Sequence, residues 1–310
     1  MEMFFALLTP ALFGSMLRTS TPVLFGALAY TLSARAGITD MGIEGKLLFG
    51  AFAGAFMTEL TGSPLLGALF AMVVTAVVNW LIGLILVKLR AQQVIVGIGL
   101  NFFMTGLTTV LLATVWKQPS NSPSFQRMRS PLASALMRLP GVGEIFEMQT
   151  PTLFLAWAAA IVMFVVTFRT RVGLRLRAVG ENPRTADSLG INVHRYQLLS
   201  MLLGGMLCGL GGADLSVGQL GFFAKEMIAG RGFVALACAS VGRFHPLTVV
   251  AVTLMVSLVD ALQVRLQGAY EVPVQFFQII PYIAPIIVLC CFGGTRAPAA
   301  MGKPFKRGER

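Results

Sequence analysis

LTGSPLLGALFAMVVTAVVNWLIGLILV, residues 60–87, contains no charged side chain and a single amide, Asn79. About 20 predominantly apolar residues let a helix cross the hydrocarbon core of a bilayer. This stretch exceeds that length, so it reads as a transmembrane helix and sets the class of the chain. Ala91–Trp116, Met148–Phe168 and Val272–Thr295 are uncharged runs of the same kind. Tyr196–Ala213 and Phe244–Val259 are slightly short but extend past one acidic residue each. Phe4–Leu17, Thr19–Ala34, Leu47–Thr58 and Gly232–Gly242 are shorter still, and are expected to be tilted, broken or re-entrant. The pattern predicts an all-α, polytopic membrane protein with about eight to ten crossings. Residues 1–310 form one transmembrane domain, because no polar segment is long enough to build a core of its own.

Composition excludes the alternatives. The 310 residues are 56% hydrophobic and 12% charged, where a soluble domain carries about 25% charged residues. A soluble globule, a disordered chain and a secreted disulfide scaffold are all ruled out. Cys208, Cys238, Cys290 and Cys291 lie in apolar stretches without metal-ligand spacing, and read as small hydrophobic fillers. Phe4–Leu17 lacks a preceding positive residue and a following small-residue cleavage site, so it is expected to belong to the membrane domain.

The net charge of +11 would suggest nucleic acid in a soluble protein. Here it marks cytoplasmic loops, and no nucleic-acid partner is expected. Of 24 basic residues, six lie in Arg169–Arg195, five in the tail 296–310, and Lys88 with Arg90 occupy a tight turn. Placing these three segments inside puts the loop 117–150 outside. There is also a faint internal echo. Gly45-Lys46 opens LLFGAFAGA, Gly230-Arg231 opens GFVALACAS, and Glu44 and Glu226 lie just before them. Short Gly-rich spans in corresponding halves point to an inverted repeat; chance among 33 glycines is the other explanation.

The segment RTRVGLRLRAVGENPRTADSLGINVHR, residues 169–195, is the most informative. Asn182-Pro183 reads as an N-cap followed by the first helical position. A short helix over Arg184–Leu189 is then closed by Gly190. Exposed Ala186, Leu189 and Ile191 suit either a groove on another protein or a membrane surface, with the arginines on anionic lipid.

Gly173–Arg184, continued by Ala186-Asp187 and Leu189–Val193, resembles the ATPase-coupling loop of ABC importer permeases. The similarity is to the ribose/simple-sugar and nucleoside permease family that works with basic-membrane-lipoprotein-type receptors. Ser33–Ile38 through Gly42–Gly45, Gly218–Phe222 through Ala229–Ala237, Asp260–Gln263 and Arg296–Pro304 resemble further blocks of that family, in order. The resemblance implies a bacterial plasma (inner) membrane permease with Gly180, Glu181, Asn182, Arg184, Ala186, Leu189, Gly190 and Ile191 as the ATPase-coupling residues. It also implies a second permease chain, identical or related, an extracytoplasmic receptor, and a cytosolic ATPase that binds ATP and Mg. This chain has no G-x-x-x-x-G-K-[ST] loop, so it is expected to bind no cofactor and to be no enzyme. It departs from the family at Asp40, where an amide is commoner, and at Asp214, where an aromatic is commoner.

Asn101 and Thr105 share a helical face and suit either a sugar hydroxyl or base, or a bond between helices. Asp214 is either a substrate or cation contact or a residue at the outer water interface. Gln219, Phe222 and Asp260 complete the expected substrate pathway, with Phe222 and Phe223, like Phe102 and Phe103, able to stack on a ring. No metal-ligand or catalytic constellation is present. An ion-coupled secondary transporter, which would lean on Asp214 and Asp260, and an intramembrane enzyme are the competing readings.

Overall fold

A computed structural model describes residues 9–137, 143–146, 149–269 and 297–305. The elements are α1 (Pro10–Arg35), α2 (Ile43–Thr61), α3 (Pro64–Lys88), α4 (Gln93–Val115), a one-turn-plus α5 (Pro131–Leu136), a 3-10 turn at Gly143–Ile145, α6 (Pro151–Arg169), α7 (Arg171–Glu181), α8 (Pro183–Ser188), α9 (Val193–Ala213), a π-helical segment Asp214–Leu220, α10 (Arg231–Val241) and α11 (Pro246–Ala269). No strand forms among the described residues. Proline opens α1, α3, α5, α6, α8 and α11, where its fixed φ suits the first turn and its missing N–H costs nothing.

Five of these elements are long and apolar enough to cross a membrane: α3, α4, α6, α9 with its π segment, and α11. α1 and α2 are polar for such a span because they lie at the centre. Residues 20–31 of α1 are all buried, wrapped by α9, α10, α11 and α2. Their surroundings are protein, so Ser and Thr hydroxyls there bond back to the preceding turn, as Thr31 does to the Ala27 carbonyl at 2.7 Å. Small residues let the inner helices approach closely: a Cβ on Gly205 would lie 2.7 Å from Ala76 of α3.

Two expectations change. Residues 10–17 of the Phe4–Leu17 run and Thr19–Ala34 are not separate segments, since α1 runs unbroken through Arg18, while residues 4–8 lie outside the described residues. One arginine among apolar turns is no helix breaker. Leu47–Thr58 becomes part of the 19-residue α2. Gly232–Gly242 does form a half-length element: α10 has 11 residues, about 16 Å at 1.5 Å per residue, roughly half the apolar core. The expected Val272–Thr295 crossing, with Cys290 and Cys291, lies outside the described residues. Cys208 and Cys238 are free thiols buried among the helices.

The bundle has a basic end. Arg35 closing α1, Lys88 closing α3, Arg169 closing α6, and the arginines of α7 gather there with residues 297–305. At the other end, residues 120–128 run antiparallel to residues 217–225, with Ser122 N donating to the Phe223 carbonyl and Phe125 N to the Gly221 carbonyl, both at 2.8 Å.

Candidate functional site

The loop at the basic end is a run of capped helices. The Thr170 hydroxyl accepts from Gly173 N at 3.3 Å and starts α7. Asn182 Oδ1 accepts from Thr185 N at 3.1 Å and starts α8, with Pro183 in the first turn as expected. Gly190 has φ +78° and ends the unit. Asn192 Oδ1 then accepts from Arg195 N and starts α9. Arg184 and Leu189 are exposed, Leu189 to 75%. Ala186 is not: it is 2% exposed, packed with Val179, Val193 and Phe305, and Ile191 is half-buried against them. In a two-turn helix one face must lie against the bundle, and Ala186 is on that face. Beside Gly190 a groove of about 410 Å³ is lined by Arg175, Leu189, Asn192 and Arg195.

The tail is part of this structure. Ala299 N donates to the Glu181 carboxylate at 3.2 Å, Ala300 N to the Gly180 carbonyl at 3.0 Å, and Gly302 N to the Gly37 carbonyl at 3.1 Å. Phe305 then plugs the apolar cluster under α8. Gly180 and Glu181, expected to face a partner, are therefore engaged internally. Only a sequence signal for main-chain pairing could have shown this, and Ala-Met-Gly carries none.

Nearby, Arg35 and Arg177 lie over the Phe168 ring, 5.5 and 4.9 Å from its centroid. Arg35 also donates to the Phe244 carbonyl at 2.8 Å. His245 packs on Phe164 and Phe168. Burial first, and then the Arg35 guanidinium, hold His245 below its ordinary pKa of 6.5.

At mid-depth the two echoed segments meet. Residues 36–42 descend along α4, Thr39 N donating to Gln93 Oε1 at 2.6 Å and Gly45 N to Asn101 Oδ1 at 2.9 Å. The eight helical steps from Gln93 to Asn101 place the start of α2 about 12 Å in from the start of α4. Glu44 accepts there from Gly230 N at 2.8 Å and Gly232 N at 2.6 Å, so its carboxylate caps the N-terminus of α10. α2 runs from this crossing toward the outer end, and α10 runs back to the basic end. Asn101 also donates to the Met41 carbonyl, and Thr105 bonds back to Asn101. Both are thus used in holding α2. Lys46, fully buried, pairs with Asp40 and donates to Asn79 Oδ1 at 3.2 Å. Arg231, half-buried at the first position of α10, is within electrostatic reach of Glu44, Asp214 and Asp260. The sequence marks it only as part of the glycine-rich echo and not as a site residue, although a lone arginine between two glycines in an apolar run is a signal.

At the outer end Asp214 is 1% exposed, not at the water interface. Thr150 donates to it at 2.6 Å, Gln219 at 2.7 Å, and Thr152 also donates. The carboxylate joins the start of α6 to the π-helical segment, a geometry that recurs at functional sites. Pro22 has no N–H for the carbonyl four residues before it, Arg18, and Gln219 donates to that freed carbonyl at 2.9 Å. Above this network lies a cavity of about 910 Å³ lined by Arg18, Arg127, Arg129, Ser130, Gln149 and Gln219 among others. Phe222 is half-buried, while Phe223 is fully buried and edge-on to Phe52, so it offers no free face. Asp260 is half-buried on α11, away from these bonds. Phe102 and Phe103 are 75% and 61% exposed on the outside of α4.

A multi-pass helical bundle with a capped loop at its basic end and a polar cavity at the other is a membrane permease. The chain belongs to the family described as branched-chain amino acid transport system / permease component, whose model matches residues 12–289. It is similar to the nucleoside ABC transporter permease protein NupC of Lactococcus lactis, 37% identical over 93% of this chain and 94% of that one. It is also similar to the guanosine ABC transporter permease protein NupQ of Bacillus subtilis, 28% identical over 94% of this chain and 95% of the relative. A putative glucose ABC transporter permease protein of Haloferax volcanii is 33% identical over 83% of this chain and 78% of its own. No solved structure matches the chain.

Proposed function

We propose that the chain is the pathway-forming permease subunit of an ATP-driven importer in the bacterial plasma membrane, and that it carries nucleosides or simple sugars. The observation that carries this reading is the α7–α8 unit. A short helix capped at both ends, rigidly held on its inner face and exposing Arg184 and Leu189 on the other, is suited to dock on a moving partner. That partner is a cytosolic ATPase, which holds ATP and Mg and does the hydrolysis. A second permease chain, identical or related, completes the pathway, an extracytoplasmic receptor delivers the substrate, and membrane lipid surrounds the apolar outer faces. The likeness to nucleoside permeases over nearly the whole length supports the substrate class, and the likeness to a glucose permease supports the sugar alternative.

The test is uptake into proteoliposomes holding the permease with its ATPase, second chain and receptor. Labelled guanosine, uridine, ribose, glucose and leucine form the panel. ATP-dependent uptake of a nucleoside or sugar, abolished by mutating the phosphate-loop lysine of the ATPase, is expected. Uptake by this chain alone under an imposed ion gradient would overturn the reading, and uptake of leucine alone would overturn the substrate class.

A further inference from the structure

Between the π-helical segment and α10 the chain crosses part of the apolar layer without a helix. Phe223 lies edge-on to Phe52 of α2, ring centroids 5.4 Å apart, and Gly230 N donates to the Glu44 carboxylate. Phe52 is eight helical steps beyond Glu44, so residues 223–230 descend by about 12 Å. The lower end is deep on two measures. It is level with Glu44, about 12 Å in from the start of α4. The eleven steps from Arg231 to Gly242 also place it about 16 Å in from the end of α10, where Arg35 holds the Phe244 carbonyl at the basic end. The apolar core is about 30 Å thick, so the whole descent lies inside it.

This segment is packed on one side and open on the other. Phe223 and Ile228 are buried against the bundle. Lys225, Glu226 and Ala229 are exposed, and Phe233 in the first turn of α10 is 50% exposed. Among the described residues Lys225 and Glu226 have no ion-pair partner, and the carbonyls of Lys225 and Met227 accept no hydrogen bond. Glu226 and Ala229 stand at φ +55° and +49°, a left-handed conformation that is uncommon for residues other than glycine and clusters at functional sites.

What can cover such a face is restricted. Lipid tails form no hydrogen bonds, so irregular backbone in the hydrocarbon region is either buried in protein or lines a water-filled cavity. Charged side chains at that depth follow the same rule. The outward faces of α4 and α6 show the contrast, with Ile98, Phe102, Ile161 and Val162 exposed and no charge among their neighbours at mid-helix. A dry contact with another chain would need a partner for each open charge and carbonyl, whereas water supplies them all. We propose that residues 224–233 form a wall of the water-filled pathway within the membrane, with Lys225, Glu226, Ala229 and Phe233 facing what passes. The assignment rests on the importer reading and gives the pathway a place on this chain. It moves the pathway away from Asn101, Thr105 and Asp214, whose polar groups are committed within the bundle.

The experiment uses the complete complex of permease, second chain, ATPase and receptor, in nanodiscs for labelling and in proteoliposomes for uptake. Cys208, Cys238, Cys290 and Cys291 are replaced by alanine. Single cysteines then enter as Lys225→Cys, Ala229→Cys and Phe233→Cys, with Val162→Cys, 59% exposed on α6, as the lipid-facing control. The probe is sulfonatoethyl methanethiosulfonate, a charged, water-borne reagent that needs the thiolate, and modification is read as a mass shift. In the resting complex or during ATP turnover, the three cysteines are expected to react at least tenfold faster than Val162→Cys. Modification of Phe233→Cys is expected to lower uptake at least fivefold. Should Ala229→Cys not fold, the other two carry the same expectation. Rates within twofold of Val162→Cys in both conditions overturn the wall. Labelling that appears only when the second permease chain is omitted assigns the face to a dry contact between chains, and also overturns it. Fast modification that leaves uptake within twofold places the face on water outside the pathway, with the same consequence. Uptake by the unmodified parent separates the two levels: its absence for every nucleoside and sugar sinks the importer reading, whatever the labelling shows.

Discussion

Gly180→Ala asks whether the α7–α8 loop, proposed above to dock on the ATPase, moves as one body with the end of α1. The added methyl would overlap the Arg35 carbonyl oxygen and lie 3.0 Å from its carbon and 3.3 Å from Gly37 N. All three are backbone atoms, so no rotamer change relieves the overlap. Relief requires α7 to withdraw by on the order of 1 Å, to reach ordinary contact separations. Overpacking of this kind costs about 1–3 kcal/mol. That energy shifts the population away from the docked arrangement by about 5- to 150-fold. The Ala300-to-Gly180 bond of the tail loosens with it. The assay is ATP-driven uptake and substrate-stimulated ATP hydrolysis in proteoliposomes, with thermal unfolding to show that the variant is folded. Uptake is expected to fall at least about fivefold. A folded Gly180→Ala variant with uptake and stimulation within twofold of the parent would refute the argument.

Gly190 makes the opposite case: nothing lies within 4 Å of its Cβ position, but its φ of +78° strains any L side chain. Gly190→Leu should cost about 1–2 kcal/mol and lower substrate-stimulated hydrolysis, whereas Gly190→Asn, tolerant of that φ, should keep most of it; equal activity of the two would remove the backbone explanation. Asp214→Ala leaves the donors Thr150, Thr152 and Gln219 without their acceptor and should destabilise by more than about 3 kcal/mol. A parental unfolding temperature in detergent would contradict this. His245 gives a pH dependence. Its pKa is lower folded than unfolded, so protonation favours the unfolded state, and its contribution is complete above pH 6.5 and lost as pH falls below that toward its folded pKa. The unfolding temperature should therefore drop between about pH 7 and pH 5, and the drop should shrink in His245→Phe. An unchanged pH slope in that variant would place the effect elsewhere.

The local chemistry of this chain is legible where one short segment sets it. Asn182, Pro183 and Gly190 act as cap, first turn and stop because those roles depend on neighbours a few residues away. The half-length α10 is legible for the same reason, since 11 residues between Gly230 and Gly242 cannot reach across a bilayer. What escapes is set by residues far apart in sequence. Ala186 sits on a short helix whose buried face is decided by Phe305, more than a hundred residues on. Asp214 looks like an interface residue from its glycine-rich flank, and its partners Thr150 and Thr152 lie some sixty residues earlier. Asn101 is polar in an apolar run and so looks available, yet its amide caps the start of α2. An intramembrane polar residue announces that it has a partner, but not which one.

The two glycine-cation pairs of the echo stand in contrasting electrostatic surroundings. Lys46 and Arg231 each sit in the first turn of a helix that begins inside the apolar layer, where the helix dipole repels a cation. Each therefore needs anions. Lys46 is neutralised within its own half by Asp40, completely out of water. Arg231 instead lies in the field of carboxylates from three other elements, Glu44, Asp214 and Asp260. One cation fixes its half, and the other depends on how the halves stand relative to each other. Glu44 is the joint between them, since a Cβ on Gly232 would lie only 2.5 Å from the Glu44 Cα. Six residues separate Glu44 from Gly37, which the tail holds at the level of Gly180. At the Gly37 end the contact is between main chains, and at the other end the Glu44 carboxylate holds the Gly230 and Gly232 N–H groups while the two backbones pack closely. A displacement of α7 carried along this segment would reach the first turn of α10 and change the distances between Arg231 and its carboxylates.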